Sequence, residues 1–107
     1  MAELSPETEL SIMTAVGADG VPVMSVGGEL DSSNADTLGE AVAAVIANRP
    51  ERLVFDLADL RFMDSAGIAV LIGAAGEVEL VELRSLSAII RRVVEATGLT
   101  TIFKVES

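Results

Sequence analysis

Between Leu53 and Ala75 a strand-length apolar run, a polar break and a helix-length apolar run follow one another without a gap. Leu53-Val54-Phe55 with Leu57 has the length and residue types of a buried strand. Ala58 to Met63 reads as a connector, and Asp64-Ser65 stands where a helix would be capped. The helix then runs from about Ser65 to Ala75, with Gly76 expected to end it. A buried strand leading through a short loop into an apolar helix is the unit from which α/β sheets are built. It also places Ser65 at or beside a first helical turn, where free backbone N–H groups and the helix dipole favour negative charge. A hydroxyl there serves either as a cap or as a place for a phosphate.

The flanking sequence fits the same architecture. Residues 1–8 read as a polar tail, followed by an alternating strand over Glu9–Val16, a Gly17-Ala18-Asp19-Gly20 turn and a second strand over Val21–Val26. Two such runs joined by a Gly/Asp loop form a hairpin. Pro22 belongs near a strand end or facing an edge, because it lacks a ladder donor. Gly27–Asp31 is expected as a loop leaving that strand.

A helix follows over Ser32–Asn48. Ser33 and Asp36 resemble a capping box, and Leu38, Ala41, Val42, Val45 and Ile46 line one face. Asn48-Arg49-Pro50 stops it. Val78 to Arg84 reads as the next strand, with an alternative in which Glu77–Glu79 stay on the helix and the strand starts at Leu80. Ser87–Thr97 is the third helix, turning Ile89, Ile90, Val93 and Val94 inward. Gly98 closes it in a left-handed conformation. Leu99–Val105 supplies a last short strand. The order β-β-α-β-α-β-α-β gives one α/β domain over 1–107, a mixed sheet with helices packed on it.

Charge and missing residue types narrow the function. The chain has 107 residues with 17 acidic and 7 basic side chains, a net charge of −10. Such a surface repels nucleic acid and anionic lipid. With no cysteine and no histidine, disulfides, thiolate or imidazole metal sites and Ser-His-Asp or Cys-His catalysis are all excluded. No segment approaches the ~18 apolar residues of a membrane span. The start MAELSPETEL is acidic where a secretory signal is basic. The expectation is a cytoplasmic protein that is not an enzyme and carries no cofactor or metal.

Competing chemistries find little support. Glu29, Asp31, Asp56, Asp59 and Asp64 come from several connectors without calcium-loop spacing, so solvated surface charge is the favoured reading. A receiver domain phosphorylated on Asp56 lacks its acidic pair after the first strand. The glycine pairs match neither a P-loop nor a dinucleotide fingerprint, and M-D-S-A-G is not a nucleophile elbow. The helix after Ser65 is apolar nearly all round. It is either buried on two sides or exposes a smooth strip of small residues, Ala66, Ala69 and Gly73, to a partner.

Three segments carry a family resemblance: Gly28-Glu29-Leu30-Asp31, Phe62-Met63-Asp64-Ser65-Ala66-Gly67-Ile68 and Thr97-Gly98-Leu99. From about Glu9 to Val105 the chain resembles a STAS domain, specifically a bacterial anti-sigma-factor antagonist. The resemblance implies a partner-switching cycle. The unmodified antagonist binds an anti-sigma factor that is also a serine kinase, and so releases the sigma factor. The kinase phosphorylates the serine matching Ser65, the complex parts, and a serine phosphatase restores it.

Asp64 matches the acidic residue before the phosphoserine, and Gly67 the helix-start glycine. Glu29 and Asp31 match the acidic loop at the partner-facing end; with Asp64, Ser65, Ala66, Gly67 and Ala69 they form the expected partner-binding set. Two departures stand out. The stretch between Ser65 and the third helix is about one turn short, and the final helix usual in the family is not expected here. Its absence would leave apolar area that a dimer could cover, so a monomer or weak homodimer is expected. The alternative function is a STAS subunit of a membrane transporter, binding its ATPase without phosphorylation. A nucleotide-binding protein is a third class, opposed by the missing phosphate loop.

Overall fold

The computed structural model describes residues 9–106, so the tail expected over 1–8 lies outside the described residues. Strand β1 (Ser11–Val16) turns back through Gly17–Gly20 into β2 (Pro22–Leu30). The Gly17 N–H donates to the Val21 carbonyl at 2.9 Å, and the Asp19 carboxylate takes the Val21 N–H at 3.0 Å. The two strands pair antiparallel from Ser11 opposite Gly27 to Val16 opposite Pro22. Pro22 thus sits at the strand's first residue, as expected.

β2 runs four residues further than the sequence indicates, so Gly27–Leu30 is strand and not loop. The reason lies in Gly28, whose φ of +90° is open to glycine and disfavoured elsewhere. A β-carbon there would stand 2.0 Å from the Glu9 carbonyl oxygen. At this point the register shifts, and the strand leaves one neighbour for another. Its first half pairs parallel with β3 (Arg52–Asp56), its end with β4 (Leu60–Met63). The segment expected as a connector is therefore largely a strand. With only four residues and a buried-exposed-exposed-buried pattern, β4 lacks the alternation that marks strands in sequence.

Helix α1 spans Ala35–Ile46, shorter than expected, with Asn34 as its cap residue. The Ser33–Asp36 capping box does not form, because Ser33 donates both its N–H (2.9 Å) and its hydroxyl to the Asp31 carboxylate. Beyond Ile46 the chain turns through Ala47 and Asn48 to Arg49, at φ +52° just before Pro50.

Helix α2 (Ser65–Glu77) passes through Gly76, which does not end it. An interior glycine costs a helix only ~1 kcal/mol. Val78 terminates it in extended conformation with its side chain buried. β5 starts at Leu80 and runs to Arg84, closer to the alternative reading of Glu77–Glu79.

Helix α3 (Ala88–Ala96) is capped by Ser87, whose hydroxyl accepts the Ile90 N–H at 3.2 Å. It buries Ile90 and Val94, whereas Ile89 points out and is 64% exposed. One residue is a 100° rotation, which carries Ile89 off the stripe that Ile90 and Val94 share. Gly98 takes the expected left-handed conformation at φ +74°. A 3-10 turn (Leu99–Thr101) comes next and then β6 (Lys104–Glu106), in place of the single strand expected over Leu99–Val105.

The sheet order is β1-β2-β3-β5-β6, with β4 on the far end of β2 and every pair but the first parallel. Met24, Phe55 and Leu83 lie in one cross-strand row, beside Leu53 and Val81 in the next. Leu38 and Val42 of α1, Leu71 and Ala74 of α2, and Ile90 and Val94 of α3 join them in one core. The opposite sheet face carries Ser25, Asp56, Arg84 and Glu106 in one row and Val23, Val54, Glu82 and Lys104 in another. No described helix is long and apolar enough to cross a membrane.

Candidate functional site

β2 and β4 end level, with Leu30 opposite Met63. The next residue of each chain segment is an aspartate, Asp31 leading towards α1 and Asp64 leading into α2. The Asp64 N–H donates to the Leu30 carbonyl at 3.1 Å and closes the rim between them.

Asp64 is the cap of α2. Its backbone is extended and its Oδ1 accepts the Ala66 N–H at 2.9 Å and the Gly67 N–H at 3.3 Å. Ser65 is therefore not the cap but the first helical residue. It is exposed, and its hydroxyl makes no hydrogen bond to the described residues. Ala66 is half-buried and Ala69 exposed one turn along; Ile72 and Gly73 continue that exposed side. The helix is thus buried on one face only, through Gly67, Leu71 and Ala74.

Gly67 itself is buried. A β-carbon there would stand 2.6 Å from Leu30 Cγ and 2.9 Å from Met63 Cγ. Its bare backbone seats the first turn of α2 directly on the ends of both strands, which fixes where Ser65 emerges.

Glu29 and Asp31 lie on the α1 side of the rim. Both are half-buried and line an open cleft of about 500 Å³ with Glu9, Leu10, Ser33, Asn34 and Thr37. Ser65 is not among its walls, so the expected residues fall into two adjoining groups. The Ser33 hydroxyl and N–H hold the Asp31 carboxyl below the ordinary carboxylate range. Asn34 ties the loop by accepting the Asp31 N–H at 3.0 Å and donating to the Glu29 carbonyl at 2.8 Å.

Asn34 escapes the sequence reading, and Phe62 enters it only within the segment that carries the resemblance, without a place at the site. Phe62 lies opposite Glu29 and is 46% exposed beside the rim. Its signal is an aromatic residue between two core positions, Leu60 and Met63. Among the described residues no group of three or more acidic side chains is placed to hold a metal ion. The rim offers an exposed hydroxyl, the carboxylates of Glu29 and Asp31 in one group and of Asp64 in the other, and a strip of small residues. Such an arrangement suits a protein contact and the acceptance of a phosphoryl group.

The profile of the STAS domain matches residues 13–107, and the chain belongs to that family. Within it, the similarity runs to anti-sigma factor antagonists. The anti-sigma-F factor antagonist RsfB of Mycobacterium tuberculosis is 32% identical over 98 residues, covering 89% of this chain and 80% of the relative. The crystal structure of an anti-sigma factor antagonist from Mycobacterium paratuberculosis matches with a TM-score of 0.86 and 30% identity, covering 95% and 88% of the two chains. Bacillus SpoIIAA in its phosphorylated form shares the fold at a TM-score of 0.70 and 20% identity, covering 91% and 92%.

Proposed function

We propose that this chain is an anti-sigma-factor antagonist that works in the cytoplasm as a phospho-regulated binding module without catalysis of its own. Its unphosphorylated form binds an anti-sigma factor, itself a serine kinase, through Glu29, Asp31, Asp64, Ser65, Ala66, Gly67 and Ala69, and so releases the sigma factor. Gly67 contributes through its backbone. The kinase transfers the γ-phosphoryl group of ATP to Ser65 Oγ, leaving ADP and a proton. A serine phosphatase removes it by hydrolysis and restores binding.

The observation that carries this reading is the division of labour at the start of α2. Asp64 takes the capping hydrogen bonds, and the Ser65 hydroxyl is left exposed and unengaged. A group with no structural bond to give up is free to accept phosphate without unfolding the helix. Relatives named as antagonists, and a neighbour of the same fold in a phosphorylated form, support it.

The test is a pull-down of anti-sigma kinases from the same genome by wild type, Ser65→Ala and Ser65→Glu, with intact mass after adding ATP. One added phosphate on wild type alone, with binding kept by Ala and lost by Glu, is the expected result. A bound kinase that adds no phosphate, with Glu binding as well as Ala, overturns it in favour of a transporter subunit.

A further inference from the structure

β1 is paired on one side only; among the described residues nothing lies along its other edge. The hairpin sets the direction of its backbone groups. Bonded and non-bonded pairs alternate in an antiparallel ladder, and Gly17 is bonded to Val21. Ala15 and Met13, two and four residues back, therefore bond to Val23 and Ser25. Ile12, Thr14 and Val16 turn their N–H and C=O groups away from β2. That phase also suits Pro22, which lies opposite Val16 and has no N–H to give.

Sheet edges are ordinarily guarded by lysine, proline, a bulge or a covering element. β1 reads Ser-Ile-Met-Thr-Ala-Val, without lysine, proline or a bulge, and no element among the described residues covers its edge. It also carries the two most exposed large apolar side chains among the described residues, Met13 at 74% and Val16 at 69%.

We infer that β1 is a homodimer interface, pairing antiparallel with β1 of a second copy about a two-fold axis at Thr14. The strand is complementary to itself. With Thr14 opposite Thr14 of the second copy, Met13 meets Ala15 and Ile12 meets Val16. Both exposed apolar side chains then gain apolar partners, and the central threonines face each other. The outward backbone groups of Ile12, Thr14 and Val16 satisfy one another. Because this register pairs residues of like parity, both copies keep their helices on the same side of a continuous sheet. No charge on the strand selects a different partner. The interface is isologous, as two-fold dimers require.

β1 and the β3/β4 side are opposite edges of β2, and Ser65 follows β4. The dimer leaves the α2 rim open and stands independently of the proposed phospho-regulation. A net charge of −10 on each copy opposes association until salt screens it.

Sedimentation equilibrium of the full chain at low and raised salt reads the mass directly. The expected result is a concentration-dependent rise to dimer, favoured by salt and unchanged by Ser65→Glu. Thr14→Pro removes an outward N–H and weakens association at least ~tenfold. Met13→Lys does the same while leaving every backbone group in place.

The chain has no cysteine, so Thr14→Cys provides a register test. Bonded pairs hold their Cα atoms ~5.5 Å apart, within disulfide reach. Thr14→Cys should cross-link into a covalent dimer faster than Thr100→Cys, which lies on the exposed 3-10 turn. A wild type that stays monomeric at raised salt overturns the inference, leaving the edge to a strand from another protein. So does cross-linking of Thr14→Cys no faster than of Thr100→Cys.

Discussion

Gly67 sits so close to Leu30 that a β-carbon on it would stand 2.6 Å from Leu30 Cγ. The first turn of α2 is thereby pressed onto the ends of β2 and β4. A methyl group added here forces the helix start outward or Leu30 and Met63 out of their packing. Overpacking of this kind costs about 1–3 kcal/mol. Gly67→Ala is expected to lower the urea midpoint of unfolding with an unchanged m-value. An unchanged midpoint would mean that α2 has slack against the sheet.

Asp64 and Ser65 should separate cleanly in stability. Asp64→Ala loses the side-chain acceptor for Ala66 and Gly67 and costs about 1 kcal/mol. Ser65→Ala removes an exposed hydroxyl without a structural bond and stays within ~0.5 kcal/mol of wild type. Circular dichroism during denaturation reads both, since the chain has no tryptophan or tyrosine to follow. The reverse order of costs would make Ser65 the cap.

The sequence shows the outline of this site more clearly than its joinery. Asp64, Ser65 and the helix behind them are legible because strand, cap and helix signals fall in one continuous stretch. Glu29 and Asp31 are legible as part of a loop leaving the second strand, which could reach the same end as Asp64-Ser65, and the resemblance assigns them to the partner-facing end. Their placement depends on β2 continuing past Gly28 to pair with β4, a contact between segments some thirty residues apart. No local propensity encodes such a pairing. The capping box at Ser33 and Asp36 is absent for a related reason. Asp31 competes for the Ser33 hydroxyl, and a local side-chain bond wins over the helical one. Ile89 defeats the sequence pattern because four apolar residues on α3 cannot all share a stripe that only Ile90 and Val94 fill.

Asp31 gives the rim a pH dependence of defined sign. Its carboxyl is held below the ordinary value of 3.8 by the Ser33 hydroxyl and N–H. A depressed folded pKa contributes stability that is fully present above the unfolded value and lost as pH falls through the folded one. The stability gap between wild type and Asp31→Asn should therefore be constant at neutral pH. It should close only below about pH 3.8. A gap that closes near neutrality would assign the effect to another group.

Glu82 is the one buried charged residue among those described, with its side chain 2% exposed on the face opposite the helices. Arg52 reaches its Oε1 at 2.7 Å, Lys104 the same oxygen at 3.8 Å, and Arg84 its Oε2 at 3.6 Å. Breaking a fully buried pair costs ~3–5 kcal/mol. Here the cations are about 40% to 54% exposed and water takes over part of the work. Glu82→Gln is expected to cost ~1–2 kcal/mol, with the loss shrinking as salt is raised. A salt-independent loss would point to packing instead of charge.

The charge placed on Ser65 should act on the partner and spare the fold. A phosphoserine adds about −1.5 to −2 charges beside the carboxylate of Asp64. A unit of like charge at ~6 Å and an effective dielectric near 20 costs about 3 kcal/mol, an upper bound for so exposed a position. Within this chain the helix N-terminus offsets part of that, so Ser65→Glu should unfold within ~0.5 kcal/mol of wild type. Where the partner places a carboxylate opposite Ser65, nothing offsets it. Binding of the anti-sigma kinase should weaken by up to about two decades in Kd. Calorimetric titration of the kinase with Ser65→Ala and Ser65→Glu measures the difference. It should narrow from low to high salt, because the repulsion acts between exposed groups. A loss of the same size at all salt concentrations would identify a steric clash at Ser65, and the electrostatic account of the switch would fail.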